Sequence, residues 1–262
     1  MRPVLFSIFG LDVQTYGVSK ALAALVAAYL LGRAFERSGL KKDHAHALVL
    51  WATVWGFVGA KIYFLLERGS AGTLTLHDFG GMGFTWYGGL AGGLIAALVI
   101  IRRRNLPVGT VAGDTAVPLA LAYGIGRLGC FFSGDGTYGE PSSLPWAMTF
   151  PDGVVATDVP VHPTPLYEAM AAVVVAAVLW LLSKRWNPPA VFGAYLVLSG
   201  VTRFLVETVR INDPVLLGLT QPQLWSIVSV VAGMVMVTRT RPLMLPGVEA
   251  LPGGPRQTPV AS

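Results

Sequence analysis

Apolar side chains gather along this chain into seven long blocks separated by short polar breaks. The blocks lie near Tyr16 to Ala34, Ala45 to Leu66, Tyr87 to Ile101, Thr110 to Phe132, Pro165 to Ser183, Ala190 to Val209 and Pro222 to Val237. A bilayer core about 30 Å thick, crossed at about 1.5 Å per residue, takes roughly 20 mostly apolar residues. Each block therefore predicts a membrane-crossing helix, and the chain an all-α polytopic membrane protein of about seven transmembrane helices. The third block is the shortest. Its Gly88, Gly89, Gly92 and Gly93 predict a tilted helix or one packed closely against a neighbour.

The breaks between the blocks are not alike. Arg33, Arg37, Lys41 and Lys42 follow the first block, Arg102, Arg103 and Arg104 the third, Lys184 and Arg185 the fifth, and Arg239 and Arg241 the seventh. Positive residues at helix ends are retained in the cytoplasm, so these four ends are expected there. The connection from 133 to 164 is the longest, has no Lys or Arg, and carries Asp135, Glu140, Asp152 and Asp158. It is expected on the periplasmic side as a compact cap, with Trp146, Met148 and Phe150 resting on the membrane surface. The glycine-rich segment from Gly69 to Trp86 reads as a loop with short strands. Residues 1–244 are expected to form one membrane-embedded domain, and the Pro- and Gly-rich residues 245–262 a disordered cytoplasmic tail.

Composition narrows the picture further. The 262 residues are 53% hydrophobic and only 13% charged, about half the charge of a soluble domain. A net charge of +5 would suit nucleic acid, but these cations sit at membrane edges, where anionic lipid is the nearer partner; no nucleic acid partner is expected. Cys130 is the only cysteine, which leaves no disulfide framework or paired-thiol metal site, and no metal is expected. Arg2 precedes an apolar start with no small-residue cleavage site, so a removable signal peptide is not expected. The last block has no lysine to carry retinal, and the two halves of the chain show no inverted repeat of a transporter.

Charged residues inside the blocks are the candidates for function, because a charge at bilayer depth costs several kcal/mol and needs a partner or a task. Arg127 lies late in the fourth block, Glu168 early in the fifth, and Arg203 and Glu207 one helical turn apart in the sixth; Lys61 and Asp114 are further cases. One reading of Arg203 and Glu207 is an i,i+4 ion pair. The other places Arg127 and Arg203 in a shared wet cavity holding a lipid phosphate, since the planar guanidinium grips phosphate oxygens with two donors and keeps its charge. Glu207 and Glu168 would then orient the guanidinium groups, while structural pairing is expected for Lys61 and Asp114. Gly124, Gly126, Gly129 and Gly134 around Arg127 suit either close helix packing or the approach of a headgroup.

The stretch from Gly126 to Gly139, GRLGCFFSGDGTYG, resembles the signature of the prolipoprotein diacylglyceryl transferases, in which Gly-Arg-x-Gly-Asn-Phe and a downstream acidic residue and glycine line the site. Tyr16-Gly17 is similar to the family's early Tyr-Gly, and GGMGFTWYGGLAGG to its glycine-rich entry to the third helix. His162-Pro163 with Leu166-Tyr167-Glu168, then Arg203-Phe204 with Glu207 and Arg210, then Gly218-Leu219-Thr220 with Gln223 resemble three further motifs in the family's order. The resemblance runs from Tyr16 to Val237. It departs at Tyr87, where the family commonly has His, at Cys130 in place of Asn, at Ser199 in place of a frequent Tyr, and by one extra residue between Asp135 and Gly139.

What the resemblance implies is transfer of the diacylglyceryl group of phosphatidylglycerol to the lipobox cysteine thiol of a prolipoprotein signal peptide in the bacterial inner membrane, without a cofactor. Arg127, Arg203 and Tyr87 are then the expected catalytic residues. Tyr16, Gly88, Gly89, Cys130, Asp135, Gly139, His162, Glu168, Ser199 and Glu207 are expected to bind substrate. Tyr87, His162, Asp135 and Glu207 remain open as proton acceptors, a phenol of pKa about 10 being a weak base. The substitutions at Tyr87, Cys130 and Ser199 leave one alternative, a non-catalytic relative that binds phosphatidylglycerol or lipoprotein signal peptides.

Overall fold

In the computed structural model, residues 2–8, 11–79 and 83–240 are described. Each apolar block is a helix: α1 (Thr15–Arg37), α2 (Lys42–Ser70), α3 (Trp86–Arg103), α4 (Val108–Ser133), α5 (Thr164–Leu182), α6 (Pro188–Glu207) and α7 (Gln221–Thr240). All seven are long and apolar enough to cross a membrane. The protein is a multi-pass membrane protein with only minor sheet. Local chemistry sets several boundaries. Pro165 and Pro188 stand in the first turns of α5 and α6, where the missing N–H is no loss. Gly134 ends α4 in a left-handed conformation at φ 63°, which glycine adopts without strain.

Packing follows the small residues. The α3 helix lies along α2, where Gly88 and Gly92 face Gly59 so closely that a Cβ on any of them would enter the opposing backbone. Gly193 of α6 and Gly233 of α7 make the equivalent contact. The α4 helix is central, packing against α1, α5 and α6. Leu31, Phe35, Ala45, Leu48, Ile101, Leu106 and Val111 form a buried cluster among the first four helices. Ala116, Ala120, Val175, Ala176, Leu179, Val191 and Ala194 form another among α4, α5 and α6.

The two ends of the bundle differ in chemistry. At one end, Arg104 meets His44 Nδ1 at 2.6 Å and Ser38 donates to Asp114 at 3.1 Å. There too Pro188 and Pro189 seat on Gly113 and Gly109, and Asn187 donates to the Thr240 carbonyl at 3.2 Å. This gathers the basic helix ends on one side. Asp114 thus pairs structurally, as expected, and Lys61 lies over the rings of Phe64 and Phe84 at 5.2 Å.

The opposite end carries the remaining connections. A hairpin of β1 (Val4–Ile8) and β2 (Leu11–Gln14) precedes α1, tied down by the Arg2 amide donating to Phe132 at 3.1 Å. In the long connection, β3 (Met148–Phe150) pairs with β4 (Thr157–Val161) over a small core in which Tyr138 stacks on Phe150 at 4.0 Å. A last hairpin, β5 (Pro214–Leu216) with β6 (Leu219–Thr220), leads into α7.

Two local expectations need amendment. Among its described residues, the Gly69 to Trp86 segment holds a single 3-10 turn, Leu76–Phe79, rather than strands; Asp78 accepts from the amide and hydroxyl of Thr75 at 2.8 Å, which closes the turn. The first and last hairpins were not anticipated, being too short to show an alternating pattern. Residues 245–262 and Arg241 lie outside the described residues.

Candidate functional site

Four charged side chains from α4, α5 and α6, with Arg210 just beyond the end of α6, converge beside the 133–164 connection. Glu168 is 3% exposed and receives Arg127 Nε at 3.0 Å, Arg203 Nη1 at 3.3 Å and Arg210 Nη1 at 3.5 Å. Glu207 is 2% exposed and receives Arg203 Nη2 at 2.7 Å and Arg210 Nε at 3.4 Å. Arg203 and Glu207 thus form the i,i+4 pair, and the pair belongs to a larger network. Neutral groups complete it. Tyr123 donates to Glu168 at 2.6 Å while accepting from Arg127 Nε at 3.1 Å. Asn212 and Thr220 donate to Glu207 at 2.6 and 2.9 Å.

This bonding fixes what each arginine can still offer. Arg127 is held through its Nε edge and stacks over the Tyr123 ring at 5.1 Å, so no described carboxylate engages its terminal nitrogens. One of them, Nη1, lies 4.0 Å from the Cys130 sulfur. Arg203 is gripped by two glutamates through both terminal nitrogens. Arg210 reaches the cap, donating to the Thr137 carbonyl at 3.2 Å. A guanidinium carries five donors, so a pre-oriented set of N–H groups remains for an anion.

The 133–164 connection is stitched to the network by its own backbone. Gly139 pairs with Arg210 across a β-bridge, its amide donates to the His162 carbonyl at 2.9 Å, and the Glu140 amide donates to Val209 at 2.8 Å. A Cβ at Gly139 would drive into the Val209 carbonyl. Gly139→Ala is therefore expected to destabilise the fold by about 1–3 kcal/mol and to loosen the cap, measured as a lower melting temperature in detergent together with faster proteolysis between residues 137 and 163.

The other expected site residues fall in several places. Asp135 accepts from the Thr137 amide at 3.1 Å and its hydroxyl at 2.6 Å, forming a turn at the base of the cap. Cys130 is buried beside Arg127. Tyr16 lies on α1 with the Lys20 ammonium 4.8 Å from its ring centre. His162 meets the Tyr167 hydroxyl at 3.3 Å and lines an apolar groove with Trp146, Leu166 and Val206. Gly88 and Gly89 lie in the α2–α3 contact. Tyr87 packs edge-on against Trp86, and Ser199 donates to the Tyr195 carbonyl of its own helix at 2.6 Å. The structure thus brings Arg127, Arg203, Glu168, Glu207 and Cys130 together and does not join Tyr87, His162 or Ser199 to them. Tyr123, Arg210, Asn212 and Thr220 were missing from the expected site. Helical spacing offered a signal for the first two, Tyr123 one turn before Arg127 and Arg210 three residues after Glu207.

A multi-pass bundle that gathers three arginines and two glutamates at one end has the side-chain chemistry to hold an anionic group. The profile of the family described as prolipoprotein diacylglyceryl transferase matches residues 3–239. A phosphatidylglycerol–prolipoprotein diacylglyceryl transferase of Clostridium tetani is 33% identical over 220 residues, covering 82% of this chain and 87% of its own length. That of Methylococcus capsulatus is 35% identical, covering 80% and 82%; that of Finegoldia magna is 30% identical, covering 90% and 94%. The chain belongs to the prolipoprotein diacylglyceryl transferase family.

Proposed function

We propose that this protein transfers the diacylglyceryl group of phosphatidylglycerol to the lipobox cysteine thiol of prolipoprotein signal peptides in the bacterial inner membrane. The observation that carries the reading is the Arg127 guanidinium, held from behind by Glu168 and Tyr123 with its terminal nitrogens left for an anion. Residues 1–244 act as one membrane-embedded domain, basic end in the cytoplasm and cap in the periplasm, following the rule for positive residues.

Arg127 and Arg203 bind the phosphodiester before reaction. A free thiol has a pKa of about 8.5 and reacts as the thiolate, which the excess positive charge of the site favours; the thiol proton passes to water at the outer face. Sulfur attacks the glycerol carbon bonded to the phosphate. The carbon–sulfur bond forms, the carbon–oxygen bond breaks, and the electron pair leaves on glycerol phosphate, whose growing charge the arginines hold. Glu168 and Glu207 orient them, Arg210 and Gly139 hold the cap over them, and the turn at Asp135 shapes the entry. Cys130 and Ser199 serve the lipid cavity, Tyr16, Gly88 and Gly89 its wall, and the Tyr87 phenol donates a hydrogen bond to substrate. His162 lines the groove where the apolar part of the peptide rests.

Purified protein in liposomes of labelled phosphatidylglycerol should pass the label to a lipobox peptide and not to its Cys→Ser counterpart. No label on the peptide would contradict the assignment and favour a binding-only relative. For topology, Ser143→Cys introduces a thiol at an exposed cap position, while native Cys130 is 4% exposed. A membrane-impermeant maleimide should label intact cells through position 143. Labelling only after the inner membrane is opened would invert the topology.

A further inference from the structure

One cation close to this site is used by neither the ion network nor the cap. Lys20 lies on α1, one turn after Tyr16, with its ammonium 4.8 Å from the centre of the Tyr16 ring. It is half-buried, and among the described residues no carboxylate stands within ion-pair distance of it. A lysine near a membrane edge usually extends its amine outward to water along its flexible stem. Lys20 turns inward instead. Its ammonium lies across α4, 3.2 Å from where a Cβ on Gly126 would stand, and Gly126 immediately precedes Arg127. One turn further along α4, Ser19 packs into Gly129, which pins this stretch of α1 against the helix that carries Arg127 and Cys130.

We propose that Lys20 is a substrate-binding residue that supplies the second positive charge of the site, contacting the phosphate of the phosphatidylglycerol headgroup from the side opposite Arg203. The inference rests on the proposed transfer reaction. Three arginines and two glutamates leave the buried network with one net positive charge. That balances a phosphodiester alone. The reacting pair, however, carries two negative charges, one on the phosphodiester and one on the thiolate. After sulfur bonds to carbon and the electron pair leaves with oxygen, both charges reside on the glycerol phosphate dianion. Lys20 raises the protein's side to two. Asp135 is engaged by Thr137 in its turn and forms no ion pair with Lys20. The lysine remains free for substrate, with the aromatic face of Tyr16 holding its ammonium in place. Gly126 gives the amine room to lie there, which accounts for the glycine before the arginine.

The test uses the full-length protein in detergent and in liposomes, with Lys20→Met, which keeps the stem over Tyr16 and removes the charge, and Lys20→Arg, which keeps the charge. Glycerol 1-phosphate is the binding probe and labelled phosphatidylglycerol the substrate. Removing a charge-assisted contact is expected to weaken glycerol 1-phosphate binding by about 10- to 100-fold in Lys20→Met, with Lys20→Arg restoring most of it. In transfer, kcat should fall more than KM rises, because the second charge reaches the phosphate as the bond breaks. Equal probe binding by wild type and Lys20→Met, or no probe binding by wild type, overturns the role of Lys20 whether or not transfer occurs. Failure of wild type to transfer, with probe binding still dependent on the lysine charge, overturns the reaction and retains the anion contact.

Discussion

Glu168→Gln is expected to lower both stability and transfer more than any other single exchange of similar size. Among the described residues this carboxylate alone pairs with all three arginines, and its side chain is 2% exposed. Glutamine keeps the shape but removes the charge and turns an N–H₂ toward at least one guanidinium. Breaking a buried pair from one side costs about 3–5 kcal/mol. The arginines are 10 to 22% exposed and can recover some solvation, so the lower end of that range is expected. Arg127 would also lose the support that aims its terminal nitrogens. A drop of several degrees in melting temperature and at least a 100-fold loss of transfer should appear together. A stable Glu168→Gln protein with wild-type transfer would show that the network is dispensable and that the reaction occurs elsewhere.

The second large effect is expected at the two arginines, and lysine should not rescue Arg127. Its Nε is committed to Glu168 and Tyr123, while its Nη1 lies beside the Cys130 sulfur. Lysine concentrates its charge on one atom and has to choose between glutamate and phosphate. Arg127→Lys should therefore lower kcat/KM by about 100-fold or more, roughly 3 kcal/mol at 1.36 kcal/mol per decade, and Arg127→Ala should abolish transfer. Arg203→Ala should also abolish transfer, with a loss of stability as well, because Glu168 and Glu207 both lose a partner. Transfer rates and melting curves of the three variants check this. Unchanged transfer by a folded alanine variant would remove that arginine from the mechanism.

The spans were legible because each needs a run of apolar residues too long to be anything else. Arg127, Glu168, Arg203 and Glu207 were legible for the opposite reason, as charges placed where lipid would reject them unless they met one another. Spacing along a single helix revealed the Arg203–Glu207 pair but not that Glu168 from α5 joins it, since that depends on the rotation of α5 about its axis. The packing of Gly88 and Gly89 against α2 is not legible in the sequence, because a glycine has the same signature whether a headgroup or a helix approaches it. The short hairpins escaped because two to five residues hold too little alternation to outweigh the surrounding apolar pattern. Lys20 is not legible as part of a site, because a lysine within a few residues of a helix start has the pattern of an ordinary interfacial anchor, and only the neighbouring helix distinguishes it.

The division of the ion network among three helices also constrains how the polypeptide is made. Arg203 and Glu207 leave the ribosome within one turn of each other and can enter the bilayer as a self-neutralising unit. The one acid of α4, Asp114, lies near the opposite end of that helix and pairs with Ser38, so the counter-charge of Arg127, Glu168, arrives only with the next span. At about 5–20 residues per second, α4 waits for several seconds beside the insertion machinery before α5 can relieve its charge. Membrane integration of the first four helices is thereby coupled to synthesis of the fifth, and a nascent chain truncated between the two should remain at the translocon until it is degraded.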